Sequence, residues 1–152
     1  RAVADAGIDA MLVVDLPPEE GEELRDEARA RGVDVIPLLT PTSSQTRLQA
    51  ARAVASGFVY YVSMTGITGS TAARDPFDAA ASAAEHLRAE LGLPVVIGFG
   101  IDDAAKASRA YGGGKSDGIV VGTAIVKAIE DCKNDVAAAC AAAAKVVTSI
   151  RA

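Results

Sequence analysis

The sequence predicts an α/β protein built on a parallel β-sheet, and three observations lead to that class. Short apolar segments alternate with helix-forming segments along the whole chain. Each strand-and-helix unit occupies about 25–30 residues, as a βα repeat requires. Because the apolar strands are separated by helices, we expect a parallel sheet that is covered by helices on both faces.

Five apolar segments are predicted to be strands. Pro37 lies within the second of them, and proline donates no hydrogen bond to a sheet. The apolar residues around it, Ile36 and Leu38, still favour a strand. The strands are expected at Ala10–Asp15, Val33–Leu39, Phe58–Val62, Pro94–Ile97 and Gly118–Val121.

Helices are predicted from their first and last residues. Proline, acidic residues and side chains that can cap free amides are common at helix starts, whereas glycine often follows helix ends. The helices are expected to begin at Pro17, within residues 42–44, and at Pro76, Asp102, Thr123 and Asn134. They are expected to end near Arg31, Ser56, Leu91, Ala110, Asp131 and Ile150.

Length, charge and cysteine content exclude several classes of protein. The 152 residues are too few for a complete (β/α)8 barrel, which needs about 200 or more; since the chain also begins with Arg1, we expect a fragment that lacks an N-terminal part. A net charge of −5 and the absence of a basic cluster argue against nucleic-acid binding. No apolar run reaches the length of a membrane span. Cys132 and Cys140 have neither a disulfide pattern nor a metal spacing, and a reducing compartment fits them.

Two consecutive glycine turns indicate the site. Gly98-Phe-Gly-Ile101 follows one predicted strand, and Gly122-Thr123 follows the next. Such turns place backbone amides and helix N-termini at one edge of a parallel sheet, where proteins bind phosphate. In (β/α)8 barrels the phosphate site commonly follows the last two strands. The sequence therefore predicts the later part of a barrel enzyme that acts on a phosphorylated small molecule.

Several candidate residues have two interpretations. Gly98 and Gly100 either let a ligand approach the backbone or only shape a turn. Gly122 and Thr123 either bind phosphate or only cap a helix. The segment from Ser63 to Asp75 is a mobile lid or an ordinary surface loop, and Asp15 is a base, an orienting group or a helix cap.

Five segments together resemble the tryptophan synthase alpha subunit family. They lie in the family's order and spacing over nearly the whole chain, and the combination is more specific than any one of them. The segments are residues 9–20 (Asp-Ala-Met-Leu-Val-Val-Asp-Leu-Pro-Pro-Glu-Glu), 57–63 (Gly-Phe-Val-Tyr-Tyr-Val-Ser), 65–69 (Thr-Gly-Ile-Thr-Gly), 98–101 and 117–127 (Asp-Gly-Ile-Val-Val-Gly-Thr-Ala-Ile-Val-Lys).

The resemblance implies an α/β fold of the (β/α)8 TIM barrel type, of which this chain holds only the last five βα units, strands four to eight. Residues 1–152 are then a single domain, a partial barrel. The implied activity is that of a lyase: retro-aldol cleavage of indole-3-glycerol phosphate to indole and glyceraldehyde 3-phosphate, in tryptophan biosynthesis.

The resemblance also implies roles for individual residues. Phosphate binding falls to Gly69, Gly100, Gly122 and Thr123, with Gly98 in the same turn and Thr68 in the closing lid. The indole pocket is lined by Leu12, Val14, Leu38, Tyr60 and Phe99, and Tyr60 has a supporting catalytic role. The segment Asp15–Pro17 lies near the contact with a beta subunit in an alpha2-beta2 tetramer; that partner carries pyridoxal phosphate, whereas this subunit carries no cofactor and no metal.

The sequence departs from the family in two places and lacks its catalytic pair. Met64 replaces an arginine that is common in the lid, and the loop Tyr111–Lys115 is longer than usual, which could loosen that turn. The family's catalytic glutamate and aspartate come from strands two and three, upstream of this chain. We therefore expect the 152 residues alone to be inactive and unstable.

Two other readings remain open. One is another phosphate-binding barrel enzyme, such as an epimerase or a relative of thiamine-phosphate synthase. The other is an inactive, truncated chain that binds a partner or a phosphate without turnover.

The expected location is the cytoplasm, or the plastid stroma for a photosynthetic eukaryote.

Overall fold

The computed structural model describes residues 1–17, 20–63 and 75–151. The strands are β1 Ala10–Leu12, β2 Asp34–Ile36, β3 Leu38–Leu39, β4 Val59–Val62, β5 Val95–Gly98 and β6 Gly118–Val120. The helices are α1 Ala2–Asp5, α2 Glu22–Arg29, α3 Gln45–Val54, α4 Pro76–Leu91, α5 Ala104–Tyr111, α6 Thr123–Glu130 and α7 Val136–Arg151. No helix within these ranges has both the length and the apolar character needed to cross a bilayer.

The strands are all parallel and lie in chain order. β3, β4, β5 and β6 form one sheet, in which Tyr60 pairs with Val96 and Val96 with Gly118. β1 and β2 form a second, two-stranded sheet. Successive parallel neighbours joined by helices are the repeating unit of a (β/α)8 barrel, and they bring the carboxyl ends of the strands to the same edge.

Pro37 divides the predicted strand Val33–Leu39, so that six strands replace the expected five. Residues before Pro37 pair with β1, and those after it pair with β4. Proline has no N–H to donate, although its carbonyl oxygen accepts a hydrogen bond from the Tyr60 amide at 3.0 Å. The first strand also ends early, at Leu12, because a turn follows in which the Leu16 amide bonds to the Val13 carbonyl.

Three predicted helix starts are shifted. α2 begins at Glu22 after Gly21, not at Pro17, so Asp15 does not cap it. Asp103 rather than Asp102 caps α5, since its carboxylate accepts from the Lys106 amide at 2.7 Å. Asp135 rather than Asn134 accepts the amide of Ala138, at the start of α7.

The core lies on one face of the four-stranded sheet. Side chains alternate along β4, where Val59 and Tyr61 are buried whereas Tyr60 and Val62 are only partly buried. The buried face packs against α4, α5 and α7, with Phe77, Leu87 and Ile150 among the contacts. The expectation that helices cover both faces is therefore wrong for the part of the chain described, because the second face of this sheet is the one that points into a barrel.

The long loop before β6 is anchored rather than loose. Its three glycines, Gly112 to Gly114, all have positive φ, between 61° and 96°. Arg88 donates to the Gly114 carbonyl at 3.1 Å and to Asp117 at 3.0 Å. The buried Ser116 hydroxyl donates to the Ala110 carbonyl at 3.0 Å. These bonds hold the start of β6 against α4 and α5.

Candidate functional site

A cavity of about 610 Å³ opens at the carboxyl ends of β5 and β6. The starts of α5 and α6 form its other walls, because each parallel strand leads directly into the helix that follows it. The lining residues are Tyr60, Phe99, Gly100, Ile101, Asp102, Asp103, Lys106, Val120, Gly122, Thr123, Ala124 and Lys127.

The turn after β5 is held in an unusual conformation. Phe99 has a φ of 90° and Gly100 a φ of 75°; positive φ is uncommon for a residue with a side chain and stores strain. The buried Ser63 hydroxyl shares its proton between the carbonyl oxygens of Gly98 and Phe99, at 3.1 and 3.0 Å. The Ser63 amide also donates to Gly98. Ser63 thus fixes the turn that presents Phe99 and Gly100 to the cavity.

Gly98 leaves room for the side chain of Tyr60. A Cβ atom at position 98 would lie 2.3 Å from the Cζ atom of Tyr60. The tyrosine ring occupies the space beside the Gly98 backbone, and Gly98 does not line the cavity. That a ligand approaches the Gly98 backbone stays a prediction.

The start of α6 is the polar end of the cavity. Gly122 is the N-cap residue and makes no side-chain cap; its carbonyl accepts from Ile125 and Val126. In the described part of the chain, the amides of Thr123 and Ala124 have no acceptor and the Thr123 hydroxyl caps no amide. A Cβ at Gly122 would meet nothing within 4 Å, so the space there is open. Free amides at a helix N-terminus are suited to an anion.

Two aromatic side chains form the apolar end. Tyr60 is partly buried, and this burial raises the pKa of its phenol, which is therefore neutral near pH 7. Phe99 is 61% exposed and its ring lines the same cavity. A planar apolar group can pack against these rings while an anionic group reaches α6.

Four charged residues on the cavity wall were not predicted from the sequence. Lys106 forms ion pairs with Asp102 and, at 3.8 Å, with Asp103. The hydrogen bond from Lys106 holds the pKa of Asp102 below its usual range, and the same bond raises the pKa of Lys106. Lys127 follows Thr123 by one helical turn. The spacing of four residues between Thr123 and Lys127 was a signal in the sequence, because such residues share a helix face. Asp102 precedes the N-cap of α5, so helix periodicity does not predict its pairing with Lys106.

The predicted site residues separate into three groups. Tyr60, Phe99, Gly100, Gly122 and Thr123 come together in the cavity, with Gly98 beneath Tyr60. Three predicted residues do not line the cavity: Leu38, Leu12 and Val14. Leu38 pairs with Tyr60 in the sheet, Leu12 ends β1, and Val14 is 66% exposed. Thr68, Gly69 and Met64 lie outside the described residues, as does most of the expected lid.

No metal centre is apparent in the ranges that the structure covers. Within them, no group of three or more His, Cys, Asp or Glu side chains is placed to hold an ion. Asp15 is exposed and lies in the turn after β1, away from the cavity lining.

Comparison with known proteins connects this geometry to one family. The family model for the tryptophan synthase alpha chain matches residues 1–151. The tryptophan synthase alpha chain of Geotalea uraniireducens is 46% identical over 138 residues, 89% of this chain and 50% of its own length. That of Acidithiobacillus ferrooxidans is 47% identical over 142 residues, 93% of this chain and 51% of its own.

Solved structures give the same result for the fold. The tryptophan synthase subunit alpha of Legionella pneumophila superposes with a TM-score of 0.77 at 29% identity, covering 97% of this chain and 52% of that one. A chain of the tryptophan synthase a2b2 complex of Pyrococcus furiosus superposes with a TM-score of 0.74 at 27% identity, covering 98% and 55%. The chain thus spans about half the length of these relatives, which fits a partial (β/α)8 barrel. It belongs to the tryptophan synthase alpha chain family.

Proposed function

We propose that this chain supplies the phosphate- and ring-binding half of a lyase site that cleaves indole-3-glycerol phosphate. The single observation that carries the proposal is the cavity of about 610 Å³, which joins the rings of Tyr60 and Phe99 to the free amides of Thr123 and Ala124. An indole ring and a phosphate at opposite ends of one small molecule match this arrangement.

The residues have distinct tasks in this proposal. Gly100, Gly122 and Thr123 bind the phosphate, and Phe99 and Tyr60 contact the indole. The family resemblance adds Gly69 and Thr68 of the lid, and Leu12, Val14 and Leu38 on the indole side, with Gly98 leaving room for Tyr60.

The cleavage itself needs two further groups. An acid must protonate indole C3, and a base must take the hydroxyl proton of the glycerol side chain as the carbon–carbon bond breaks and the aldehyde forms. Asp102 and Asp103 line the cavity and form ion pairs with Lys106. We assign the acid and the base to a glutamate and an aspartate of βα units that precede these residues in the complete barrel.

We place residues 1–152 in a single barrel domain whose other units lie outside this chain. The part described here leaves β6 with one strand neighbour and one face of the sheet half-covered. An unpaired strand edge and unfilled barrel interior are unstable in water. The 152 residues alone should therefore be inactive.

A beta subunit is the proposed partner. The Pyrococcus furiosus neighbour is a chain of an a2b2 complex, and the turn at Asp15–Pro17, in which Asp15 is exposed, is the proposed contact. Pyridoxal phosphate belongs to that partner, and this subunit needs no cofactor. Since the relatives from Geotalea uraniireducens and Acidithiobacillus ferrooxidans are bacterial, we favour the cytoplasm over the plastid stroma.

The test is indole release from indole-3-glycerol phosphate by the complete protein that contains this sequence. Steady formation of indole and glyceraldehyde 3-phosphate in equal amounts is expected. A folded, complete protein that binds glycerol phosphate but releases no indole, with or without a beta subunit, would refute the lyase and favour a different barrel enzyme or a binding protein.

A further inference from the structure

Two lysines on the cavity wall have different surroundings. Lys106 is balanced by carboxylates, since it forms ion pairs with both Asp102 and Asp103. Lys127 has no carboxylate oxygen within 4.0 Å among residues 1–17, 20–63 and 75–151. Lys127 attracts Asp102 from a longer distance and helps to lower the pKa of that carboxyl, but it forms no ion pair in these ranges, whereas Lys106 forms two.

The position of Lys127 directs its charge to the polar end of the cavity. It lies four residues after Thr123 on α6, so both residues occupy the same helix face. Long helical side chains extend back toward the N-terminus of their helix. The Lys127 ammonium group therefore extends toward the end of α6 where the amides of Thr123 and Ala124 have no acceptor in the described chain.

The charge of the wall explains why a second lysine is needed. Asp102 and Asp103 lie on the same cavity and would repel a phosphate. Lys106 can offset only one of their two charges. Without Lys127, the charged side chains that line the cavity would carry a net negative charge, and the partial charge of the helix N-terminus would be opposed.

We propose that Lys127 is a further phosphate-binding residue of this site, whereas Lys106 is held by ion pairs with the two aspartates beside it. Lys127 donates to a phosphate oxygen from one side as the α6 amides donate from the other. This rests on the proposed function, since it assigns the phosphate to the α6 end of the cavity.

The experiment measures glycerol 3-phosphate binding by the complete protein, using calorimetry. Lys127→Met is compared with Lys145→Met, because Lys145 is exposed on α7 and absent from the cavity lining. Both variants remove one positive charge from the chain. We expect Lys127→Met to weaken binding about tenfold, as for the loss of one charge-assisted hydrogen bond. Lys145→Met should stay within about twofold of the unmodified protein.

Two further measurements test whether the lost charge of Lys127 is the cause of the weaker binding. Lys127→Arg keeps the charge and should retain most of the affinity for glycerol 3-phosphate. The thermal unfolding temperatures of Lys127→Arg and Lys127→Met should both match that of the unmodified protein. Added sodium chloride should weaken binding less in Lys127→Met than in the unmodified protein, because one screened attraction is gone.

The outcomes separate this inference from the proposed function. Equal binding by Lys127→Met and the unmodified protein would overturn the role of Lys127, even if indole is released normally. An equal loss in Lys145→Met would also overturn it, since net charge alone would then explain the effect. If the unmodified protein binds no glycerol phosphate, the assignment of phosphate to this cavity fails, and the indole assay separately decides the lyase.

Discussion

A Cβ atom on Gly98 would lie 1.9 Å from the phenolic oxygen of Tyr60. The two residues are on neighbouring strands and share the half-covered face of the sheet, because Tyr60 pairs with Val96 two positions before Gly98. The Tyr60 ring leans along the strand direction and covers the glycine. The identity of residue 98 thus controls where an aromatic wall of the cavity can lie.

Gly98→Ala should displace Tyr60. The methyl group cannot fit beneath the ring, so we expect a loss of about 1–3 kcal/mol in the free energy of unfolding and weaker binding of the aromatic substrate. Urea unfolding and the KM of the complete protein measure the two effects. Gly122→Ala is the control for stability, since its methyl group would meet nothing within 4 Å.

The double variant Gly98→Ala, Tyr60→Ala tests whether the clash is the cause. Removing the ring makes room for the methyl group, so the two losses of stability should be clearly less than additive. Strict additivity would show that Gly98 acts through something other than Tyr60.

Ser63→Ala should loosen the turn after β5. The change removes the hydroxyl that bonds to the Gly98 and Phe99 carbonyls. The Gly98 carbonyl keeps the Ser63 amide as a donor, so a loss of about 0.5–1.5 kcal/mol in unfolding free energy is expected. Phosphate affinity should fall as well. Ser116→Ala is the matched control: Ser116 is equally buried and bonds to Ala110 away from the cavity. A similar fall in affinity for both variants would contradict the role of Ser63.

Phe99→Gly should separate stability from binding. Glycine adopts the positive φ of this position without strain, and the exposed ring contributes little to the core. We expect the unfolding free energy to stay the same or rise by up to about 1 kcal/mol, whereas the KM for the aromatic substrate rises. A large loss of stability would show that the ring supports the fold instead.

Asp117 should make stability depend on pH in the acidic range. Its carboxylate accepts from the Val95 amide at 2.9 Å and from Arg88 at 3.0 Å. The Val95 bond, assisted by Arg88, holds the pKa of Asp117 below its usual value. The stabilisation is therefore complete above the unfolded-state pKa, about 3.9, and is lost as pH falls through the lower folded-state pKa.

The urea midpoint measured between pH 6 and pH 2.5 tests this linkage. The unmodified protein should lose stability below about pH 4, and Asp117→Asn should be less stable at pH 6 with a shallower acid decline. Asp26→Asn, on the exposed side of α2, is the control and should keep the steep decline. Parallel curves for Asp117→Asn and the unmodified protein would rule out this contribution.

The sequence by itself determined the class of the fold and predicted five of the twelve residues that line the cavity. Apolar segments and their spacing predicted parallel strands with helices between them, and the prediction for α4, Pro76–Leu91 with Gly92 after it, is confirmed residue by residue. The glycine turns at Gly98–Gly100 and Gly122 identified the edge where the cavity lies. These signals are local, since periodicity, capping and turn chemistry depend on neighbouring residues.

Only the tertiary structure decided what depends on distant residues. Pairing with two different strands divided the predicted strand Val33–Leu39 at Pro37. The position of the Tyr60 ring explains why residue 98 is a glycine. The ion pairs that occupy Lys106, and their absence around Lys127 in the described chain, follow from how α5 and α6 face one cavity. A sequence pattern shows that a residue is charged or small. The fold determines which distant residues contact it, and those contacts determine its role.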